Sequence, residues 1–354
     1  MGADRDGGLS TLVSATRSDR DDSMGASDIS MWSRGTDFIP VYTSPAGEAE
    51  TMNSYQKIID QWRVPHHELT VSTSFGETHV IASGPPDAPP VVLLHALFAT
   101  ATSWYLNVER LSSSFRIYAV DVIGEANRSR PTRPIASLDD FLLWFTELLD
   151  GLGIESLYLV GNSYGGFTGA YYAMKLPERI RKLVLIGPAA TIHKMTPFMF
   201  HMFVPKGLYF LLRRLPGLRR AMRRSVDWMH AGLPRDPLWE PLFYRSMVHG
   251  KLINRVFPRL FSREEFSAIR APVLLLVGDK EVIYGDLESA IRSARDLIPN
   301  VEIELIPNAH HIAAIAQPEL VSQRILRFFG DELPSAGSAG RRALLRAGLP
   351  SQPP

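Results

Sequence analysis

Apolar and polar positions along the middle of the chain fall into two patterns that take turns. Short apolar runs at 91–94, 116–120, 157–160, 182–186, 272–277 and 301–306 have strand length and end in Gly, Pro, Asn or Asp. Between the first four lie longer segments, 101–111, 138–152 and 167–176, whose apolar residues recur three and four apart and predict helices. Strand and helix in alternation imply right-handed β-α-β units and a mostly parallel, doubly wound sheet of the α/β class. Upstream, 69–73 and 78–83 read as antiparallel strands around Phe75-Gly76. They follow a helix-like 49–62 that Val64-Pro65 closes.

The interval 189–266 breaks this alternation. It reads as helix-rich and carries large apolar residues, among them Met195, Phe198, Met199, Met202, Phe203, Tyr209 and Phe210. Arg213, Arg214, Arg219, Arg220, Arg223 and Arg224 follow at helical spacing, with Pro216-Gly217 read as an interruption. That basic run fits a solvated helix face, with contact to a membrane surface or an anionic substrate as the alternative. Residues 1–47 mix acidic and basic residues without an apolar core segment, and read as a disordered N-terminal segment lacking a signal peptide. Residues 333–354 read as a flexible tail rich in Ala, Gly, Arg and Pro, with a short basic helix conceivable at 341–347.

The chain is 354 residues long, enough for one large α/β domain with an insertion. A net charge of +1 supplies no field for nucleic acid. There are no cysteines, which excludes disulfides, zinc–thiolate sites and a cysteine nucleophile. No apolar run is long enough to span a bilayer, so a cytoplasmic location is the default expectation. The adjacent pairs His66-His67 and His310-His311 lack metal-ligand spacing, and no phosphate-binding glycine motif occurs, so neither metal nor cofactor is expected.

The chemistry concentrates at Gly161-Asn162-Ser163-Tyr164-Gly165, between a strand-like and a helix-like segment. A serine on a sharp strand-to-helix turn is held in a strained backbone, its hydroxyl thrust clear and the helix N-terminus aimed where negative charge would develop. A glycine-rich turn with an incidental serine is the bland alternative. Two further strand ends supply partners in the order acid, then histidine: Gly278-Asp279-Lys280-Glu281, then Asn308-Ala309-His310-His311.

On these motifs the chain resembles the α/β-hydrolase-fold enzymes from residue 69 to about 330. Val91-Val92-Leu93-Leu94-His95-Ala96-Leu97 is similar to the family's oxyanion loop, and the stretch from Asp121 through Gly124 to Ser129 to its loop after the next strand. That stretch and the run Val277-Gly278-Asp279-Lys280-Glu281-Val282-Ile283-Tyr284 resemble bacterial carboxylesterases. The resemblance implies a core at 48–188 and 267–332, with a helical cap at 189–266 inserted after the sixth strand. It implies Ser163 as nucleophile, His311 as base and Glu281 as acid, with Asp279 as the alternative acid. Leu97 and Tyr164 would form the oxyanion hole, and Asp121 would brace a neighbouring loop. Two positions depart from the family pattern: Ala96 stands for the usual glycine, and so does His310, which reads as a partly exposed loop residue.

The implied activity is hydrolysis of small to medium apolar carboxylic esters through an acyl-enzyme. Lactonase, thioesterase and carbon–carbon bond hydrolase share the same residues, and a ligand-binding protein on this fold is the reading from another class. The implied partner is a small-molecule ester or related acyl substrate, and the sequence leaves oligomeric state open.

Overall fold

The computed structural model describes residues 14–15, 38–197 and 216–330; of 14–15, 216–219 and 221 it describes the backbone alone. Ten strands form one sheet: β1 (Ser14–Ala15), β2 (His66–Thr73), β3 (Gly76–Ser83), β4 (Pro90–Leu94), β5 (Arg116–Val120), β6 (Arg130–Pro131), β7 (Leu157–Asn162), β8 (Ile180–Ile186), β9 (Val273–Gly278) and β10 (Val301–Ile306). Their order is β1-β2-β3-β5-β4-β7-β8-β9-β10, with β6 also paired to β3. β1 to β3 join antiparallel, β3 joins β5 antiparallel, and the six strands from β5 to β10 in that order are parallel to one another. The chain winds outward from β4 to β5, then returns to the other side of β4 to place β7. The order therefore reverses between β4 and β7, where a doubly wound sheet opens a crevice at its carboxyl edge.

Burial explains why the central strands read as unbroken apolar runs. Residues 91–94 of β4 and all six of β7 are buried, as a strand covered on both faces requires. β10, at the edge, is mostly only partly covered. Helix α3 (Leu138–Gly151) starts at a capping box in which Ser137 and Asp140 satisfy each other's backbone N–H groups. Helix α4 (Tyr164–Lys175) packs on β7 and β8, and its side chains are buried from Tyr164 to Met174.

The fold begins earlier than residue 48. Helix α1 (Pro45–Ile59) has Pro45 in its first turn and Ser44 as its cap, accepting the Gly47 N–H at 3.1 Å. Ahead of it, Thr43 N–H donates to His249 O at 2.8 Å, and Val41 O accepts Lys251 N–H at 2.7 Å. Residues 38–47 thus belong to the folded body. The single helix expected at 101–111 is instead a 3-10 turn (Ala101–Trp104) and one turn of helix, α2 (Val108–Leu111). Asn107 sits between the two and sends its side-chain amide to Pro318 O and Ser322 Oγ. Thr100 bonds Thr102 at 2.7 Å, and such local side-chain bonds compete with a continuous helix.

Between β8 and β9 stand α5 (Pro216–Met229), α6 (Trp239–His249) and α7 (Arg263–Phe266). The described part of α5 begins at Pro216, and what precedes the Pro216-Gly217 pair lies outside the described residues. α5 buries Met222, Val226 and Met229 while Arg220 is exposed and Arg223 pairs with Glu240 at 2.6 Å. Residues 251–262 form neither helix nor strand and lie on the sheet's carboxyl edge. Asn254 bonds Ile123 O and the Ile135 N–H, Tyr164 donates to Val256 O, and Phe261 stacks on Phe167 at 5.2 Å. The apolar run from Phe198 to Phe210, the arginines at 213, 214 and 219, and the 341–347 segment lie outside the described side chains. Among the described residues no helix is long and apolar enough to cross a membrane.

After β9 come α8 (Leu287–Leu297), α9 (Ala313–Ala316) and α10 (Pro318–Gly330), the last packed against β9 and α2.

Candidate active site

Ser163 occupies the turn between β7 and α4 with φ 50° and ψ −108°. A non-glycine residue in that region carries about 1–3 kcal/mol of strain, held here by its surroundings. Its N–H donates to Ile186 O at 2.8 Å, and its carbonyl accepts the N–H groups of Phe167 and Ala189 at 3.0 Å each. Gly165 lets the turn close: a Cβ there would stand 2.4 Å from Leu94 O. The serine is 8% exposed.

The other two candidates arrive from β9 and β10. His311 Nε2 lies 2.8 Å from Ser163 Oγ. His311 Nδ1 faces Glu281, at 2.9 Å from Oε2 and 3.1 Å from Oε1. The two side chains of this pair are 2% and 1% exposed. Glu281 Oε1 also accepts the Ile283 N–H at 3.0 Å, which fixes the carboxylate. Gly187, with φ 48°, backs the pair; a Cβ at that position would meet Glu281 Oε2 at 2.9 Å. Asp279 points elsewhere and accepts the Ala309 N–H at 3.2 Å, tying the β9 loop to the β10 loop. The structure therefore brings Ser163, His311 and Glu281 into one hydrogen-bonded line and leaves Asp279 outside it.

Leu97 stands in the loop after β4, and Tyr164 follows Ser163 directly at the first position of α4. Their backbone N–H groups donate to no acceptor among the described residues; that of Tyr164 is one of the first N–H groups of α4, which have no partner within the helix. Ala96 needs no glycine conformation; the positive φ of this loop falls on Phe98, at 63°. Phe98 N–H donates to Glu125 Oε2 at 2.9 Å, and Glu125 is 5% exposed. His95 adds a second tie, its Nδ1 bonded to Ala96 O at 2.8 Å while its Nε2 accepts the Val122 N–H at 3.0 Å. Burial pushes the His95 imidazole down, which suits this neutral, one-donor arrangement. Neither Glu125 nor His95 was assigned a role from sequence; the partners are backbone groups of a distant loop, which leave no side-chain signature.

Beneath the loops lies a buried polar network. Asp121, fully buried, accepts the Ala101 N–H at 2.7 Å, the Tyr55 hydroxyl at 3.0 Å and His79 Nδ1 at 3.0 Å. His79 Nε2 reaches Glu68 Oε2 at 2.7 Å, and Arg128 closes on Glu68. Ser129 of the same motif accepts the His79 N–H and donates to Asp121 O. Burial alone would raise the Glu68 carboxyl, but the His79 bond and the Arg128 charge hold it at about 2. Burial likewise opposes a charged His79, and the bonds to Asp121 and Glu68 outweigh it and raise the imidazole.

His310 is not the partly exposed residue expected. It is 1% exposed, its Nδ1 accepts the Ile312 N–H at 3.1 Å, and its ring meets His230 of the segment after α5 at 4.8 Å. The intervening helices cover the loop, which a reading of the loop alone could not anticipate.

Residues 89–318 match the alpha/beta hydrolase fold family. The carboxylesterase nap of Bacillus subtilis (strain 168) is 35% identical over 291 residues, which cover 79% of this chain and 92% of that protein. Carboxylesterase YbfK of the same organism is 34% identical over 285 residues, covering 78% and 92%. The crystal structure of naproxen esterase (carboxylesterase NP) from Bacillus subtilis aligns with a TM-score of 0.71 at 33% identity, over 81% of this chain and 99% of that one. The match to the family spans the β4 loop, the β7 turn and both partner loops, and on it and these full-length relatives the chain belongs to the alpha/beta hydrolase fold family, alongside bacterial carboxylesterases.

Proposed function

We propose that the chain is a serine-dependent hydrolase of small to medium apolar carboxylic esters, with Ser163 as nucleophile, His311 as general base and acid, and Glu281 as the residue that orients His311. The observation that carries this reading is the unbroken line from Ser163 Oγ through His311 to Glu281, at 2.8 and 2.9 Å. The carboxylesterase relatives support the ester as substrate.

In the first half-reaction, the Ser163 oxygen bonds to the acyl carbon as its proton passes to His311 Nε2. The former carbonyl oxygen takes the negative charge and lies against the N–H groups of Leu97 and Tyr164, the N-terminal dipole of α4 adding to the attraction. His311 returns the proton to the alcohol oxygen as the carbon–oxygen bond breaks. In the second half, water gives its proton to His311 and attacks the acyl carbon, and Ser163 leaves reprotonated. Glu281 keeps the Nδ1 proton on its own side, so that Nε2 faces Ser163 as a base, and it stabilises the imidazolium. Loss of one oxyanion donor raises such a barrier by about 3 kcal/mol.

The segment between β8 and β9 is proposed as the cap over this site, since Val256, Phe261, Trp239 and His230 all reach residues of the site loops or the α4 helix. Turnover of a chain-length series of p-nitrophenyl esters by wild type and Ser163→Ala tests the proposal. Turnover that vanishes in the variant, with the fold intact by circular dichroism, is expected. Turnover retained by the variant would remove Ser163 from its role.

A further inference from the structure

Two buried histidines beside the Ser163–His311 pair have no part in the proposed chemistry. His230 follows α5 and His310 precedes His311; each is 1% exposed, and their rings meet edge-on with centroids 4.8 Å apart. Their hydrogen bonds assign complementary tautomers. His310 Nδ1 accepts the Ile312 N–H at 3.1 Å, so that nitrogen carries no proton. Burial above all pushes the His310 imidazole down to about 3. Its single proton near neutral pH is therefore on Nε2, which donates to no described residue. His230 is the mirror case. Its Nδ1 stands 2.8 Å from Val226 O and must donate, so that in the singly protonated tautomer Nε2 is the acceptor. That Nε2 is buried and has no partner among the described residues. Buried polar atoms are paired with very few exceptions, and one that is not points to a missing partner.

We propose that His230 and His310 form a two-pronged subsite for one hydroxyl group of the substrate, His310 Nε2–H donating to its oxygen and His230 Nε2 accepting its proton. The inference rests on the ester-hydrolase reading and narrows its substrate class to hydroxy esters. A hydroxyl both accepts and donates at one oxygen. An ether or carboxylate would leave His230 without a donor, and an ammonium would leave His310 without an acceptor. The position suits recognition near the scissile bond. His310 is bonded directly to His311, and His230 packs against Trp239, whose Nε1 donates to Ser103 just past the Leu97 loop. The hydroxyl would thus be held between the histidine loop and the oxyanion loop.

The test compares kcat/KM on matched p-nitrophenyl esters that exchange a hydroxyl for a methyl: 2-hydroxypropanoate against 2-methylpropanoate, and 3-hydroxybutanoate against 3-methylbutanoate. For at least one pair the wild type is expected to favour the hydroxy ester about tenfold, the worth of one well-made neutral hydrogen bond. In His230→Phe, which keeps the ring and removes the acceptor, that ratio falls toward one. In His230→Gln, which restores an acceptor oxygen, part of it returns; this variant separates a lost contact from a damaged fold. A wild-type ratio near one in both pairs, with good turnover, means that the two nitrogens hold a water only and overturns the inference alone. A ratio that His230→Phe leaves unchanged also overturns it. A wild type that turns over neither member of either pair contradicts the ester-hydrolase reading as well.

Discussion

The carboxylate of Glu125 accepts the backbone N–H of Phe98 at 2.9 Å, and Phe98 is the residue of the β4 loop held at φ 63°. The bond ties the loop after β5 to the loop after β4, one residue past the Leu97 N–H proposed as an oxyanion donor. Glu125 is thus a positioning residue: it touches the loop and not the reacting atoms. Glu125→Ala is expected to lower kcat by about tenfold to a hundredfold with little change in KM, because a misplaced oxyanion donor acts in the transition state. Glu125→Gln keeps an acceptor oxygen and should recover most of the loss. Equal falls in kcat/KM for both variants, carried by KM, would assign Glu125 to substrate binding instead.

The acid is decided by a similar comparison. Glu281 lies 2.9 Å from His311 Nδ1, whereas Asp279 accepts the Ala309 N–H. Glu281→Gln removes the charge proposed to orient the imidazole and should lower kcat on the order of 10³–10⁴-fold. Asp279→Asn keeps an oxygen for Ala309 and should cost less than about tenfold. The reverse ranking in steady-state kinetics would transfer the role to Asp279.

Asp121 is a matter of stability. It is fully buried and gathers the Ala101 N–H, the Tyr55 hydroxyl and His79. Asp121→Asn leaves a raised, buried His79 without one of its two partner charges and should destabilise the fold by about 3 kcal/mol in urea titrations. A change below about 0.5 kcal/mol would mean the network contributes little.

His310 carries a pH signature. Its imidazole is pushed down to about 3 in the fold, mainly by burial, against an ordinary 6.5 in the unfolded chain. Between those values the unfolded chain binds the proton and the fold does not, so stability from this group is full above pH 6.5 and declines as pH falls toward 3. In His310→Asn the stability curve should be flatter over that window than in wild type. Parallel curves from thermal unfolding at several pH values would show that His310 is protonated in the fold.

Much of this was legible in the chain. The strands at 116–120 and 301–306 have the bounds their runs suggested, because each ends abruptly, at Asp121 and at Pro307. The order of Ser163, the acid and His311 could be read because each stands just past a strand, where a short motif marks the turn. The start of α1 was missed although Ser44-Pro45 is a standard cap and first-turn pair; the disordered look of the preceding charges masked it. The helix expected at 101–111 failed because Asn107 answers to Pro318 and Ser322, more than 200 positions away. The same holds for His310, which reads as a partly exposed loop residue until the fold brings His230 against it.

The central claim is that Ser163 forms the acyl-enzyme. Titration with a fluorophosphonate, followed by peptide mapping by mass spectrometry and a parallel assay of residual esterase activity, tests it most directly. The account predicts one adduct per chain, on Ser163, with activity falling in step with labelling and no adduct in Ser163→Ala. An adduct on another residue, or full activity in fully labelled protein, would contradict it.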